Sequence, residues 1–291
     1  MQNAAVEKTD GENAPTVLVL TPIKNAAPFL PRYVELLQSL TYPHQRISVG
    51  ILESDSTDGS HTAARAALDR LDGDFCRIGL WKRDFGYQIP PNTPRWANRI
   101  QVERRTVLAR SRNHLLFHAL ADEDWVLWLD VDLVEYPPDL IDRMLATGKD
   151  IVQPHCVRQY GGPTFDLNAW RDKGRLHMDD LRSEGPLVRL HAVGGTVLLV
   201  RADLHRDGLI YPAFRYGLHN PLIRRPHQLT DWRHLIVQDV KRLLRGRIRE
   251  MQIFDPWVSG ELETEGLGMM AHDMGHECWG MPHLEVRHID A

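Results

Sequence analysis

The stretch Trp125-Val-Leu-Trp-Leu-Asp-Val-Asp-Leu-Val-Glu135 decides the fold. Its apolar run, part β-branched and part aromatic, reads as a buried central strand. The run ends in Asp130-Val131-Asp132. Two carboxylates at i and i+2 on a strand face the same side, and the carboxyl end of a buried strand opens on the crevice in which α/β proteins bind ligands. Two adjacent negative charges there need a cation. The plainer alternative is a strand-ending turn with both Asp side chains solvated, and Asp-X-Asp by itself does not separate the two.

Upstream, Thr16-Val-Leu-Val-Leu20 reads as a first parallel strand, broken at Thr21-Pro-Ile-Lys-Asn25. A helical pattern opens at Pro28-Phe-Leu-Pro31 and runs through Tyr33, Leu36, Leu37 and Leu40. A second strand, Ile47–Leu52, ends in Glu53-Ser-Asp-Ser-Thr-Asp-Gly-Ser60 before an Ala-rich helix over 61–71. This is the βαβ rhythm of a parallel sheet. Ser56, Thr57 or Asp58 suits the helix N-cap. Glu53 leaves its strand before the turn, where a carboxylate accepts from a nucleobase N–H or a ribose hydroxyl. Cys76–Trp81 is a weak third strand, followed by a Pro- and Asn-rich loop through Pro94. Residues 101–120 read as a helix whose polar side carries Arg104, Arg105, Arg110 and Arg112. That side is either a solvated basic face or turns one or two arginines toward the Asp130 crevice to grip a diphosphate.

Downstream, a helix starts at Pro137 and a short strand covers 150–154. The irregular segment 158–187 contains Phe165-Asp-Leu-Asn-Ala-Trp170. An exposed Trp170 beside Asp166 would stack on a sugar and take its hydroxyls; the alternative is a Trp that anchors a long loop to the core. His191–Val200 reads as a strand entered through Gly194 and Gly195, a pair that marks close backbone approach to a ligand. From Leu222 to Arg249, eight Arg/Lys face only Asp231 and Asp239, with apolar residues near helical spacing. This basic amphipathic helix lies on an anionic membrane, covers the site, packs on a partner subunit, or is an ordinary surface helix. A helix from 261 to about Met274, capped by Gly275, and a short strand over 284–289 end the chain, with His288 close to the terminus.

The formal net charge of −4 gives no electrostatic reason to expect nucleic-acid binding. Three scattered cysteines without a CxxC pair fit a reducing compartment and argue against structural zinc. Residues 1–14 read as a disordered polar leader, and no apolar run approaches the roughly 20 residues of a membrane span. A soluble, cytoplasmic protein is the expectation.

The order of these signals is the layout of a GT-A glycosyltransferase. Leu20-Thr-Pro-Ile-Lys-Asn-Ala26, Ser54-Asp-Ser-Thr-Asp58, Arg83-Asp-Phe-Gly86, Ala109-Arg-Ser-Arg-Asn113, Asp124-Trp-Val-Leu-Trp-Leu-Asp-Val-Asp132, Val193-Gly-Gly-Thr196, Val200-Arg-Ala-Asp203, His205-Arg-Asp-Gly-Leu209 and Glu263-Thr-Glu-Gly266 resemble the Anp/Mnn/Van family. That family comprises fungal Golgi α-mannosyltransferases that build mannan from GDP-mannose. The resemblance runs from about residue 16 to 289, interrupted by 217–260. It implies a GT-A fold: α/β, with a Rossmann-like, mostly parallel central sheet flanked by helices. A single domain over 15–291 is expected, with a nucleotide-binding half over about 15–132, an acceptor half over about 133–291 and a basic helical insertion at about 217–260.

The resemblance further implies residue roles. Asp130, Asp132 and His288 would hold Mn²⁺ or Mg²⁺. Thr21, Pro22, Glu53, Asp84, Arg110, Arg112 and Asp130 would bind the nucleotide sugar. Asp166, Trp170, Gly194 and Gly195 would lie on the acceptor side, and Glu263 and Glu265 would be the catalytic carboxylates. A hexose, mannose from GDP-mannose first, would pass to a saccharide or lipid-linked acceptor with retention. UDP-glucose is the alternative donor and a nucleotidyltransferase the alternative enzyme, although the latter normally has a Gly-rich basic loop after strand one, which Thr21–Asn25 is not. A subunit with a vestigial sugar site is the non-enzymatic alternative, and it would have lost Asp132 or His288. Without an N-terminal anchor, the expectation is a bacterial, cytoplasmic enzyme, peripheral on the inner face of the membrane or a homo-oligomer if 222–249 docks there.

Overall fold

A computed structural model describes residues 13–172, 174–217 and 260–289. Residues 1–12 of the leader and the basic segment 222–249 therefore lie outside the described residues, while Ala14, at the leader's end, is buried in the core. The first half alternates strand and helix: β1 (Val17–Ile23), α1 (Leu30–Gln38), β2 (Ile47–Glu53), α2 (Ser60–Asp69), β3 (Arg77–Lys82), α3 (Asn98–Ala119) and β4 (Trp125–Leu129). The second half adds β5 (Leu133–Glu135), α4 (Leu140–Leu145), β6 (Ile151–Val157), β7 (Val188–Leu190), β8 (Val197–Arg201), α5 (Ala202–Arg206), α6 (Glu263–Asp273) and β9 (Cys278–His288). No helix among the described residues is long and apolar enough to cross a membrane.

One sheet passes through both halves in the order β3-β2-β1-β4-β8-β6-β9-β5, with β7 also on β9. The strands from β3 to β4 are all parallel, as the βαβ rhythm predicts. Beyond β4 the sheet is mixed: β8 runs antiparallel to β4 and β6, and β9 is parallel to β6 but antiparallel to β5. The two faces are filled by alternation along the strands. Val17 and Val19 join α1 and α2 in one apolar cluster, while Leu18, Leu20, Val126 and Trp128 join α3 and α6 in the other.

Three local departures from the sequence reading bear on the site. The central strand stops at Leu129, so Asp130-Val-Asp132 forms the turn between β4 and β5 rather than two rungs of one strand. The run His191–Val200 becomes a strand only from Val197; its first part, with the glycine pair, stays irregular because its backbone is taken up by side chains described below. The last strand starts at Cys278 rather than 284 and carries a register shift between its pairings with Pro154 and His155, which accommodates Pro282. Gly275 adopts φ +89° and ends α6, as expected of a C-cap glycine.

Candidate active site

The carboxyl ends of β1, β2 and β4 surround a cavity of about 570 Å³, where a parallel α/β sheet binds ligands. The loop after β1 supplies Pro22 to Ala26, the loop after β2 supplies Ser54 and Asp55, and the segment after β3 supplies Tyr87, Gln88, Ile89 and Arg95. The α3 helix lends Arg104, Val107, Leu108, Ser111 and Arg112, and the floor is Asp130, Val131, Asp132 and His288.

The floor is set by pairing at the sheet edge. Leu133 in β5 is opposite His288 in β9, which brings His288 Nε2 to 3.1 Å from Asp132 Oδ1. The ring is fixed by stacking on Phe165, with centroids 4.2 Å apart. Its Nδ1–H donates to the Ile289 carbonyl at 2.9 Å, leaving Nε2 for the Asp132 side. Burial disfavours the imidazolium, but the hydrogen bond and charge of Asp132 raise the His288 pKa overall. Burial likewise opposes the Asp132 charge, and His288 more than offsets it, so the Asp132 pKa is lowered. Asp130 goes the other way: burial and the Asp132 charge carry its pKa to about 7 against the opposing pull of Arg112. An unliganded site thus does not hold both aspartates charged at little cost.

Arg112 is buried, 4 % exposed. Its Nη2 reaches Asp130 Oδ1 at 3.4 Å and the Gly195 carbonyl at 3.2 Å, and its Nε donates to Glu263 Oε1 at 3.1 Å. Trp128 and Tyr211 lie beneath the guanidinium at 5.4 and 5.2 Å to their ring centroids. Among the arginines of α3 proposed from the sequence, Arg112 thus faces the cavity and Arg110 is exposed outside its lining.

Several expected contacts are placed elsewhere. Glu53 is fully buried, with its oxygens on Lys82 Nζ at 2.8 Å and the Ser56 N–H at 2.9 Å. It shapes the loop after β2 and does not line the cavity. Asp84 is largely exposed and accepts from the Asp55 N–H at 2.8 Å, tying two loops together. Thr21 donates to the Leu129 carbonyl at 2.7 Å inside the core, whereas its neighbour Pro22 does line the cavity.

The acceptor-side residues form an internal clamp. Trp170 is 3 % exposed, so it offers no face to a sugar; it is the loop anchor, and its Nε1–H donates to Glu265 Oε1 at 2.7 Å. Asp166 accepts from the Gly195 and Thr196 N–H groups at 3.0 and 3.2 Å and from the Thr196 hydroxyl at 2.9 Å. The glycine pair does mark a close approach, but to the chain's own side chains. A Cβ on Gly194 would fall 2.0 Å from Asp166 Oδ2, and one on Gly195 would fall 2.6 Å from Arg112 Nη2. Glu263, held at φ +54°, and Glu265 lie behind the arginines rather than in the cavity wall. Arg105 Nη2 meets Glu265 Oε2 at 2.5 Å, and Arg105 Nε lies 3.7 Å from Glu263 Oε2.

Lys24, Tyr87, Arg95, Arg104 and Ser111 were not singled out as site residues by the sequence. For Arg104 and Ser111 the signal existed: they stand seven residues apart, on the same helical face, and Arg112 follows directly.

Residues 1–178 match the Anp1 family. The chain belongs to the Anp1 family. Mannan polymerase complex subunit mnn9 of Schizosaccharomyces pombe is 28 % identical over 327 residues, covering 98 % of this chain and 84 % of that protein. Mannan polymerase complex subunit MNN9 of Candida albicans is 27 % identical over 319 residues, covering 94 % of this chain and 74 % of that protein. Among solved structures, GalNAc-T7, determined with UDP, GalNAc and Mn²⁺, superposes with a TM-score of 0.55 at 14 % identity, over 96 % of this chain and 44 % of that one. The chain thus spans less than half the length of that neighbour, and the likeness is one of fold. The fold is GT-A, and this Anp1-family protein is a glycosyltransferase.

Proposed function

We propose that the protein transfers mannose from GDP-mannose to a saccharide or lipid-linked acceptor, using a divalent cation held by Asp130, Asp132 and His288. The observation that carries this reading is the meeting of Asp132 with His288 beside Asp130 on the floor of a cation-rimmed cavity. Mannose as the donor sugar is supported by the relatives, which are named mannan polymerase subunits.

Among the described residues, no group of three or more His, Cys, Asp or Glu side chains is already gathered to hold a metal. The chemistry of the floor nevertheless fits one. Two carboxylates and one imidazole suit Mn²⁺, and the His288 Nδ1–H bonded to a backbone carbonyl leaves Nε2 as the ligand atom. Asp130 resists ionising beside Asp132, so a cation relieves the floor. Held by Asp130, Asp132 and His288, a divalent ion would supply charge neutralisation for a departing nucleoside diphosphate. Arg112 adds a fixed positive charge beside Asp130, held by Glu263 and the Gly195 carbonyl. Retention of the α configuration suits this arrangement, because among the described residues no carboxylate other than the Asp130–Asp132 pair and Asp55 lines the cavity to act as a general base.

Calorimetric titration with GDP-mannose, UDP-glucose and GDP, each with and without Mn²⁺, tests the reading, followed by linkage analysis of the transfer product. Tight binding of GDP-mannose only with Mn²⁺ is expected. Absence of any metal-dependent nucleotide binding would defeat it.

A further inference from the structure

The cavity face of α3 has more hydrogen-bond donors than its own chain satisfies. Arg104, Val107, Leu108, Ser111 and Arg112 line the cavity at spacings of three and four residues. Arg104 is partly buried, and its one hydrogen bond among the described residues is a long one to Gln101 Oε1 at 3.5 Å. No carboxylate lies within ion-pair distance of it among the described residues, whereas Arg105 next to it has three. Burial and the nearby Arg95 lower the Arg104 pKa, and the charges of Glu263 and Asp130 oppose this only in part.

Ser111 is 3 % exposed and its Oγ has no hydrogen-bond partner. A serine inside a helix usually bonds the preceding turn's carbonyl, and this one does not. Arg112 Nη1 is likewise buried and unpartnered, although the rest of that guanidinium is fully engaged. Tyr87, 8 % exposed on the cavity wall, carries a third orphaned group in its hydroxyl.

A buried donor left unpaired is costly, and here such donors share one wall with an arginine that has no ion pair among the described residues. What the wall lacks is acceptors and negative charge together. A neutral sugar brings acceptors but no charge; a carboxylate brings charge but only two oxygens. A diphosphate brings both, and Arg104 and Arg112 bracket Ser111 along the helix as two cations around a hydroxyl.

We propose that Arg104 and Ser111, together with the free Nη1 of Arg112, form the wall that binds the diphosphate of the donor. This rests on the cavity being the nucleotide-sugar site. The Arg104 guanidinium pairs with the β-phosphate, which carries the sugar in the donor and is terminal in GDP, and the Ser111 hydroxyl donates to a phosphate oxygen next to Arg112. No covalent step is assigned to either residue.

The test is calorimetric titration of the full chain in Mn²⁺ with GDP and with GMP, which lacks the terminal phosphate. For Arg104→Gln, GDP affinity is expected to fall by about tenfold or more and GMP affinity by much less, so that the preference for GDP shrinks; Arg104→Lys is expected to restore part of it. Ser111→Ala is expected to weaken GDP by about three- to tenfold. Thermal melts of each variant check that the fold is intact. Wild-type GDP affinity in both variants, or equal losses for GDP and GMP, would overturn the assignment while leaving the nucleotide-sugar reading in place. Failure of the wild-type chain to bind GDP at all would overturn both.

Discussion

His288 Nε2 sits 3.1 Å from Asp132 Oδ1, so the last described strand returns the end of the chain to the turn that follows the central strand. The contact is held by β5–β9 backbone pairing and by Phe165 against the imidazole ring. Replacing the ring therefore removes a ligand atom without removing the scaffold. His288→Ala is expected to lower Mn²⁺ affinity by about tenfold or more, read by electron paramagnetic resonance without nucleotide, while far-ultraviolet circular dichroism stays at the wild-type signal. Unchanged Mn²⁺ affinity would remove His288 from the site.

Gly195 lets Arg112 lie against the backbone. A Cβ there would fall 2.6 Å from Arg112 Nη2 and 2.9 Å from Thr264 Cγ2. Arg112 is pinned by Glu263, Asp130 and two aromatic rings, so it moves only by breaking those contacts. Gly195→Ala is expected to cost about 1–3 kcal/mol in urea unfolding and to weaken GDP binding by about tenfold or more. A variant that binds GDP like the wild type would mean that Arg112 is not held by this contact.

The parallel half of the sheet was legible because strand and helix periods alternate there without interruption, and β1, β2 and β4 fall within a few residues of their expected spans. The floor was legible only through the family resemblance: Asp130-Val-Asp132 alone did not separate a cation site from a solvated turn, and nothing local in the sequence ties His288 to Asp132, a contact that the β5–β9 pairing makes. The acceptor-side reading went differently because it depended on exposure, and exposure is decided by tertiary packing. Trp170 and Asp166 have the composition of a sugar site, yet a 158–187 loop without regular backbone pairing of its own is anchored by those same side chains. Glu53 was misplaced for a related reason: position at a strand end does not say whether a neighbour such as Lys82 already occupies the carboxylate. Arg104 was one of four helix arginines read either as a solvated face or as partly turned to the crevice, and which of them turn is decided by packing; Ser111 was not named at all.

The Trp170–Glu265 hydrogen bond, 2.7 Å long, fastens the 158–187 loop to the start of α6. Trp170→Phe keeps most of the apolar surface but leaves a buried carboxylate with Arg105 as its remaining strong donor. A loss of about 1–3 kcal/mol in chemical denaturation is expected. A double-mutant cycle with Glu265→Gln isolates the bond from the change in ring size. A coupling energy of zero would mean that the indole N–H contributes nothing to the anchor.

Glu261 gives the fold its own pH dependence, away from the aspartates of the floor. Three carboxylates, Glu261, Glu263 and Glu265, surround Arg105. Burial first, and then the Glu265 charge, raise the Glu261 pKa from 4.5 to about 7, against the pull of Arg105 and Arg215. Protonated Glu261 donates to Glu265, which only the folded chain rewards. A carboxyl raised in the folded state stabilises fully below its unfolded pKa, and that contribution is lost as pH rises through the folded value. The window is therefore from about 4.5 to about 7, with stability falling toward the alkaline side. Glu261→Gln keeps a donor and cannot ionise, so its unfolding free energy is expected to fall less steeply than that of the wild type across that window, Asp130 still titrating there, and to exceed it by about 1–3 kcal/mol at pH 8. Urea unfolding of both proteins at pH 5, 6, 7 and 8 measures the difference. Parallel pH profiles for the two chains would show that Glu261 ionises freely and that Arg105 carries all three charges.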